Sequence, residues 1–131
     1  MNPTTPMNMI RTLSILFFLL FLPTTLLAEG ITQEQGKAII EELKAIKKEL
    51  ILLGYSFFSD SDTEVILKSF HAWRERCVEK FIGMFAFAIF DSKVHKVYFF
   101  RDRVGIKPLY IAQQNDVILF SSEVKSFLQV D

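Results

Sequence analysis

Gly83-Met84-Phe85-Ala86-Phe87-Ala88-Ile89-Phe90-Asp91 is the stretch on which the fold turns. Met84, Ala86, Ala88 and Phe90 alternate with Phe85, Phe87 and Ile89, so both faces of a strand drawn through them are apolar. Such a strand is covered on both sides, because a half-solvated one carries polar residues on one face. Asp91-Ser92-Lys93 makes a polar turn, and Val97 to Phe100 repeats the doubly apolar pattern. Gly105 and Pro108 punctuate a loop, and a third strand is expected near Leu109 to Ala112, with Pro108 tolerated at its beginning. Gln113 to Asp116 turns the chain into a fourth strand, Val117 to Phe120. The expectation is a meander of about four strands.

Helices flank this meander. Ser61 and Glu64 have the spacing of a capping box, which opens a helix from about Asp62 to Arg76. Val65, Ile66, Phe70 and Trp73 fall on its inner face, with Lys68 and Arg74 outside. Cys77 to Phe81 adds a short helical turn, and Ser121 or Ser122 caps a last helix through Leu128. Upstream, Thr32 and Gln35 form another capping box for an amphipathic helix from Thr32 to Leu53, which Gly54 ends. Ile39, Leu43, Ile46, Leu50 and Leu53 recur along it at four-three spacing. That seam either packs on its own domain or joins two copies of the chain into a homo-oligomer through residues 32–53. The fold class is α+β, with the sheet between layers.

The first 28 residues read differently. Arg11 precedes an apolar run from Leu13 to Leu22, and Leu26-Leu27-Ala28 comes just before Glu29. A positive start, a short hydrophobic run and a small residue ahead of a polar one predict a secretory signal peptide over residues 1–28. An uncleaved membrane anchor through residues 13–22 is the alternative.

Composition narrows the function classes. A length of 131 residues suits one small domain. Lysine plus arginine equals aspartate plus glutamate at 15 each, so no charge excess points to nucleic acid. His71, His95 and the single Cys77 share no ligand spacing, so no metal site is expected.

Four blocks in order carry a resemblance: SDTEVIL (61–67), GMFAFAIFD (83–91), RDRVGIKPLY (101–110) and SSEVKSFL (121–128). From about Ile46 to Asp131 the chain resembles the glutaminase domain of glutamine-dependent asparagine synthetases, which are class II glutamine amidotransferases. The resemblance implies part of an αββα sandwich of the Ntn-hydrolase type, preceded here by the signal-like segment and the amphipathic helix (residues 29–53). The junction between leader and body is expected near residues 40–50. It implies glutamine as substrate, hydrolysed to glutamate and ammonia for ATP-dependent amidation of aspartate. ATP and magnesium would act in a synthetase region with no counterpart here, so no cofactor is expected in this fragment.

The same resemblance assigns residues. Catalysis in such enzymes uses an N-terminal cysteine whose thiolate attacks the amide while its free α-amine serves as base. Cys77 has an acylated nitrogen and lies in a core-like stretch, and Met1, Asn2 and Glu29 carry no thiol. No catalytic residue is therefore expected, and the fragment is expected to be inactive alone. Lys37, Ala38 and Ile39 stand where the family has a glutamine-binding N-G-E triplet. Only Asp62, the aspartate of SDTE, matches a family substrate contact, for the α-ammonium of glutamine; otherwise it simply favours the positive end of its helix. Arg101, Asp102 and Arg103 form an internal ion-pair network or face the missing synthetase region. The alternative function is a membrane-targeted, non-catalytic interaction module. Localisation divides likewise: cytoplasmic by the resemblance, exported or membrane-associated by the leader.

Overall fold

The computed structural model describes residues 33–129. The expected signal peptide or anchor and the Thr32 cap lie outside them. Helix α1 runs Gln33–Leu52 and α2 Asp62–Trp73, followed by a 3₁₀ helix over Arg74–Lys80. Four strands follow: β1 (Ala86–Asp91), β2 (Lys96–Arg101), β3 (Tyr110–Gln114) and β4 (Val117–Ser121). A second 3₁₀ helix, Val124–Gln129, stands where an α-helix was expected.

Alpha1 stops where the sequence placed its end. Gly54, at φ +92°, donates to the Ile51 carbonyl at 2.9 Å and Tyr55 donates to that of Leu50 at 3.0 Å. This paired closure satisfies two carbonyls that the helix leaves open, and it needs a residue at ease with positive φ. The apolar seam is spent inside the chain. Ile46 and Leu50 are buried, Leu43 packs against the core, and the Ile39 side chain covers Gly83. Only Leu53 of the seam is exposed, so the seam packs on its own domain.

Alpha2 buries Val65, Ile66 and Phe70 as its period predicts. Two outward assignments are corrected. Lys68 is buried, with its side chain 2% exposed, because the Phe57 and Phe58 rings fold over it. Arg74 ends α2 at φ 55°, and its guanidinium lies on the Phe70 ring and donates to Asp91 Oδ2 at 2.9 Å. The chain turns out of the α-helix at that residue.

The four strands form two antiparallel hairpins in separate two-stranded sheets, not one meander. Ala86 pairs with Arg101 and Asp91 with Lys96 in the first; Tyr110 pairs with Ser121 in the second. Phe87, Ala88 and Ile89 are consecutively buried, so β1 is covered on both faces. Beta2 is not: Val97 is exposed and only Phe100 is buried. Rings of Phe70, Phe81, Phe85, Phe87 and Phe100 pack between α2 and the first hairpin, with Phe87 and Phe100 centroids 5.0 Å apart. The second hairpin touches the first through Phe99 and Phe120, whose centroids are also 5.0 Å apart.

Candidate functional site

Between α1 and α2, residues 54–60 form a loop that leads to Ser61. Ser61 caps α2 through its hydroxyl, which accepts from the Thr63 amide at 3.2 Å. Glu64 does not complete the expected box. Its carboxylate reaches further back and accepts from the Phe58 amide (3.0 Å), the Ser59 amide (2.8 Å) and the Ser59 hydroxyl (2.7 Å). Lys68, one turn on, also donates to it and to the Ser56 carbonyl. Burial works against the Glu64 charge, but Lys68, Ser59 and the Phe58 and Ser59 amides together outweigh it and lower its pKa to about 2. From α1, Lys47 donates to Asp60 Oδ1 at 2.7 Å and to the Ser59 carbonyl at 3.2 Å.

Asp62 stands in the first turn of α2 beside this cluster. Its carboxyl is half-buried, and burial raises its pKa above the ordinary value. No hydrogen bond or ion pair to that carboxylate is found among the described residues, whereas every other acid of the SDSDTE run is bonded. The arrangement therefore leaves one partly desolvated acceptor at the positive end of a helix, suited to a cationic group. Nearby, Tyr55 and His71 share a 2.5 Å hydrogen bond between the hydroxyl and Nδ1. Burial first, then the Lys93 and Arg74 charges, lower the His71 pKa.

Cys77 is fully buried in the core, and burial, reinforced by the Glu75 charge, pushes its pKa up to about 12. A thiol held so is protonated at neutral pH and sealed from substrate. Lys37, Ala38 and Ile39 all lie on α1. Among the described residues no group of histidine, cysteine and carboxylate side chains could hold a metal ion, and no helix is long and apolar enough to cross a membrane.

The 101–107 loop corrects the expected ion-pair network. Asp102 accepts from the Ile106 and Lys107 amides at 2.9 and 3.0 Å, and Arg101 donates to the Lys107 and Gly105 carbonyls at 2.7 and 2.5 Å. Arg103 donates to the Glu79 carbonyl at 3.3 Å. The three charged side chains thus bond backbone, not one another. A cavity of about 90 Å³ lies under this loop, lined by Phe87, Ala88, Lys107, Pro108, Leu109 and Phe120 among others.

Asp62, the one residue expected to contact substrate, thus stands beside a hydrogen-bonded cluster, and Cys77, expected to take no catalytic part, is buried. Of the residues that build this cluster, Glu64 was expected as a cap partner and Lys68 on the outer face, and Lys47 carried no sequence signal. A signal was present in the four-residue spacing of Glu64 and Lys68, which suits an ion pair on one helix face.

SDTE opens α2 and RDRVGIK makes the backbone-bonded loop that follows β2. The chain belongs to the family of glutamine amidotransferase domains, which matches residues 35–129. It is 42% identical over 83 residues to asparagine synthetase [glutamine-hydrolyzing] 3 of Bacillus subtilis (strain 168), a match covering 63% of this chain. Asparagine synthetase [glutamine-hydrolyzing] 1 of the same organism is 45% identical over 83 residues, again 63% of this chain. Number 2 of that organism is 40% identical over 89 residues, or 66%. The matched part spans only 14%, 13% and 11% of the length of these relatives, respectively.

Proposed function

We propose that residues 35–129 form part of a glutaminase-type domain, one portion of an αββα sandwich of the Ntn-hydrolase type. The matched family, the names of the relatives and the doubly covered β1 strand support this reading. In it, Asp62 binds the α-ammonium group of glutamine. The observation that carries the assignment is the half-buried Asp62 carboxylate, raised in pKa by burial and without a donor among the described residues. An ammonium ion brought to it makes a charge-assisted hydrogen bond, a contact worth roughly 1.5–3 kcal/mol. ATP-dependent amidation of aspartate, with ATP and magnesium, falls in this reading to the much larger remainder of the relatives.

The 131-residue polypeptide by itself does not hydrolyse glutamine in this reading. Acyl transfer needs a thiolate beside a base, and Cys77 has a buried, protonated thiol on an acylated nitrogen. Incubation with glutamine is expected to release no ammonia above an enzyme-free control, equally for the unsubstituted chain and for Cys77→Ala. Ammonia release that disappears in Cys77→Ala would overturn it. For binding, glutamine is titrated into the chain while the Asp62 carboxyl carbon is followed by NMR. The signal is expected to shift with glutamine but not with glutarate, which lacks the ammonium, and an equal response to both sinks the assignment.

A further inference from the structure

In the short loop ahead of α2, Ser56, Phe58, Ser59 and Asp60 are hydrogen-bonded and the Phe57 ring lies against Lys68, and these contacts converge on three charged side chains. Lys68 contributes its ammonium to the Ser56 carbonyl and the Glu64 carboxylate, beneath the Phe57 ring at 4.2 Å and near that of Phe58 at 5.2 Å. Glu64 takes the Phe58 and Ser59 amides and the Ser59 hydroxyl. Lys47 holds Asp60 and the Ser59 carbonyl from the other helix. A buried ion pair is an inefficient way to stabilise a helix face, since an apolar pair of the same volume commonly does as well or better. What an apolar pair cannot do is bond loop amides and a loop carbonyl at once.

The bonds also continue past the loop. The Ser59 hydroxyl, donating to Glu64, accepts from the Ser61 amide at 3.3 Å, and the Ser61 hydroxyl accepts from the Thr63 amide. Both neighbours of Asp62 in the chain are therefore tied to Glu64 through one series of hydrogen bonds. We infer that Glu64 and Lys68, assisted by Lys47, are positioning residues: they fix residues 56–61 and so hold Asp62 in the orientation that receives an amino-acid ammonium group. This rests on the reading of Asp62 given above.

The test uses the full 131-residue chain with Glu64→Gln, Lys68→Met and Lys47→Met. Glu64→Gln keeps the shape but sets an amide NH₂ against amide donors. Two readouts are taken: hydrogen exchange at the Phe58, Ser59 and Ser61 amides against Ser69 and Phe70 inside α2, and the glutamine titration followed at Asp62. In Glu64→Gln, loop exchange is expected to quicken about tenfold or more while the α2 interior stays within about twofold, as loss of a charged hydrogen bond implies. Glutamine affinity is expected to fall about tenfold in the same variant, and less in Lys47→Met, which keeps the Glu64–Lys68 pair. A structural role alone changes α2 and loop exchange together and leaves affinity in proportion to the folded fraction. Loop amides unprotected in the unsubstituted chain, or loosened without loss of affinity, overturn the inference. Should glutamine fail to shift Asp62 in the unsubstituted chain, the ligand assignment falls and takes the receiving role with it, while the exchange arm still decides whether the three side chains fix the loop. If Glu64→Gln does not fold, Lys47→Met at the loop margin decides, by the same criteria applied to Ser59 and Ser61.

Discussion

At Gly105 a single methyl group meets both an unfavourable backbone and a close neighbour. The residue sits at φ +71°, and a Cβ there would lie 3.0 Å from the Arg101 guanidinium, which is itself held by two backbone carbonyls. A left-handed conformation alone costs a non-glycine residue about 1–2 kcal/mol, and displacing Arg101 adds to it. Gly105→Ala is expected to lower unfolding free energy by about 2 kcal/mol or more in urea, followed by Trp73 fluorescence. Acid sensitivity has its own residue. The Glu64 carboxyl, ordinarily near 4.5, sits at about 2 in the folded chain, because Lys68, Ser59 and the loop amides outweigh the opposing effect of burial. A depressed carboxyl contributes stability that is full above the unfolded value and is lost as pH falls through the folded one. Urea midpoints should therefore drop as pH is taken from about 5 down to about 2, and the drop should be shallower in Glu64→Gln. Some slope should persist, since Asp91 and Asp102 are also held below the ordinary carboxylate range: burial opposes this, but Arg74 and backbone amides prevail.

Among the elements, α1 shows how a periodic seam can be read correctly in position and still leave its partner open. Ile46 and Leu50 face inward as their spacing requires, but only the structure tells that α2 and Gly83 lie opposite. Leu50 is completely buried, so Leu50→Ala removes its contacts with the core and leaves a cavity, at a cost of about 2–5 kcal/mol measured by the same urea titration. Neighbouring Ile51, exposed on the outer face, should tolerate alanine with less than about 0.5 kcal/mol change. The start of α2, the Gly54 stop and β1 were legible because each depends on a few adjacent residues. Lys68 was not, because what buries it is a loop, Phe57-Phe58, that no helical period describes. Arg74 failed for a similar reason: its side chain serves Asp91, 17 residues away. Asp62 was legible only as part of a motif; that its neighbours are tethered depends on bonds from Lys47, Glu64 and Ser59, of which sequence spacing suggests one.

At the scale of the whole molecule the two hairpins are unequal partners. The first is packed under α2 through Phe70, Phe87 and Phe100, whereas in the second Ile111, Val117 and Ile118 are exposed. Part of the difference stands in the sequence, since β1 is an unbroken apolar run to Phe90 whereas β3 ends in Gln113 and Gln114; the backbone-bonded loop at Asp102 follows the first ladder and separates it from the second sheet. An isolated two-stranded hairpin is marginal in water. Its stability must then come from attachment, and the ring contact between Phe99 and Phe120 is the one that joins the two sheets most directly. Phe120→Ala should consequently free the second hairpin without unfolding the first. Amides of Ile111 to Gln113 and of Val117 to Leu119 are expected to exchange about tenfold faster or more, while those of Phe87 and Ile89 keep their protection and the Trp73 urea transition moves by less than about 1 kcal/mol. Equal acceleration in both hairpins would mean that the sheets unfold as one cooperative unit, and the view of the second as a weakly attached layer would have to be abandoned.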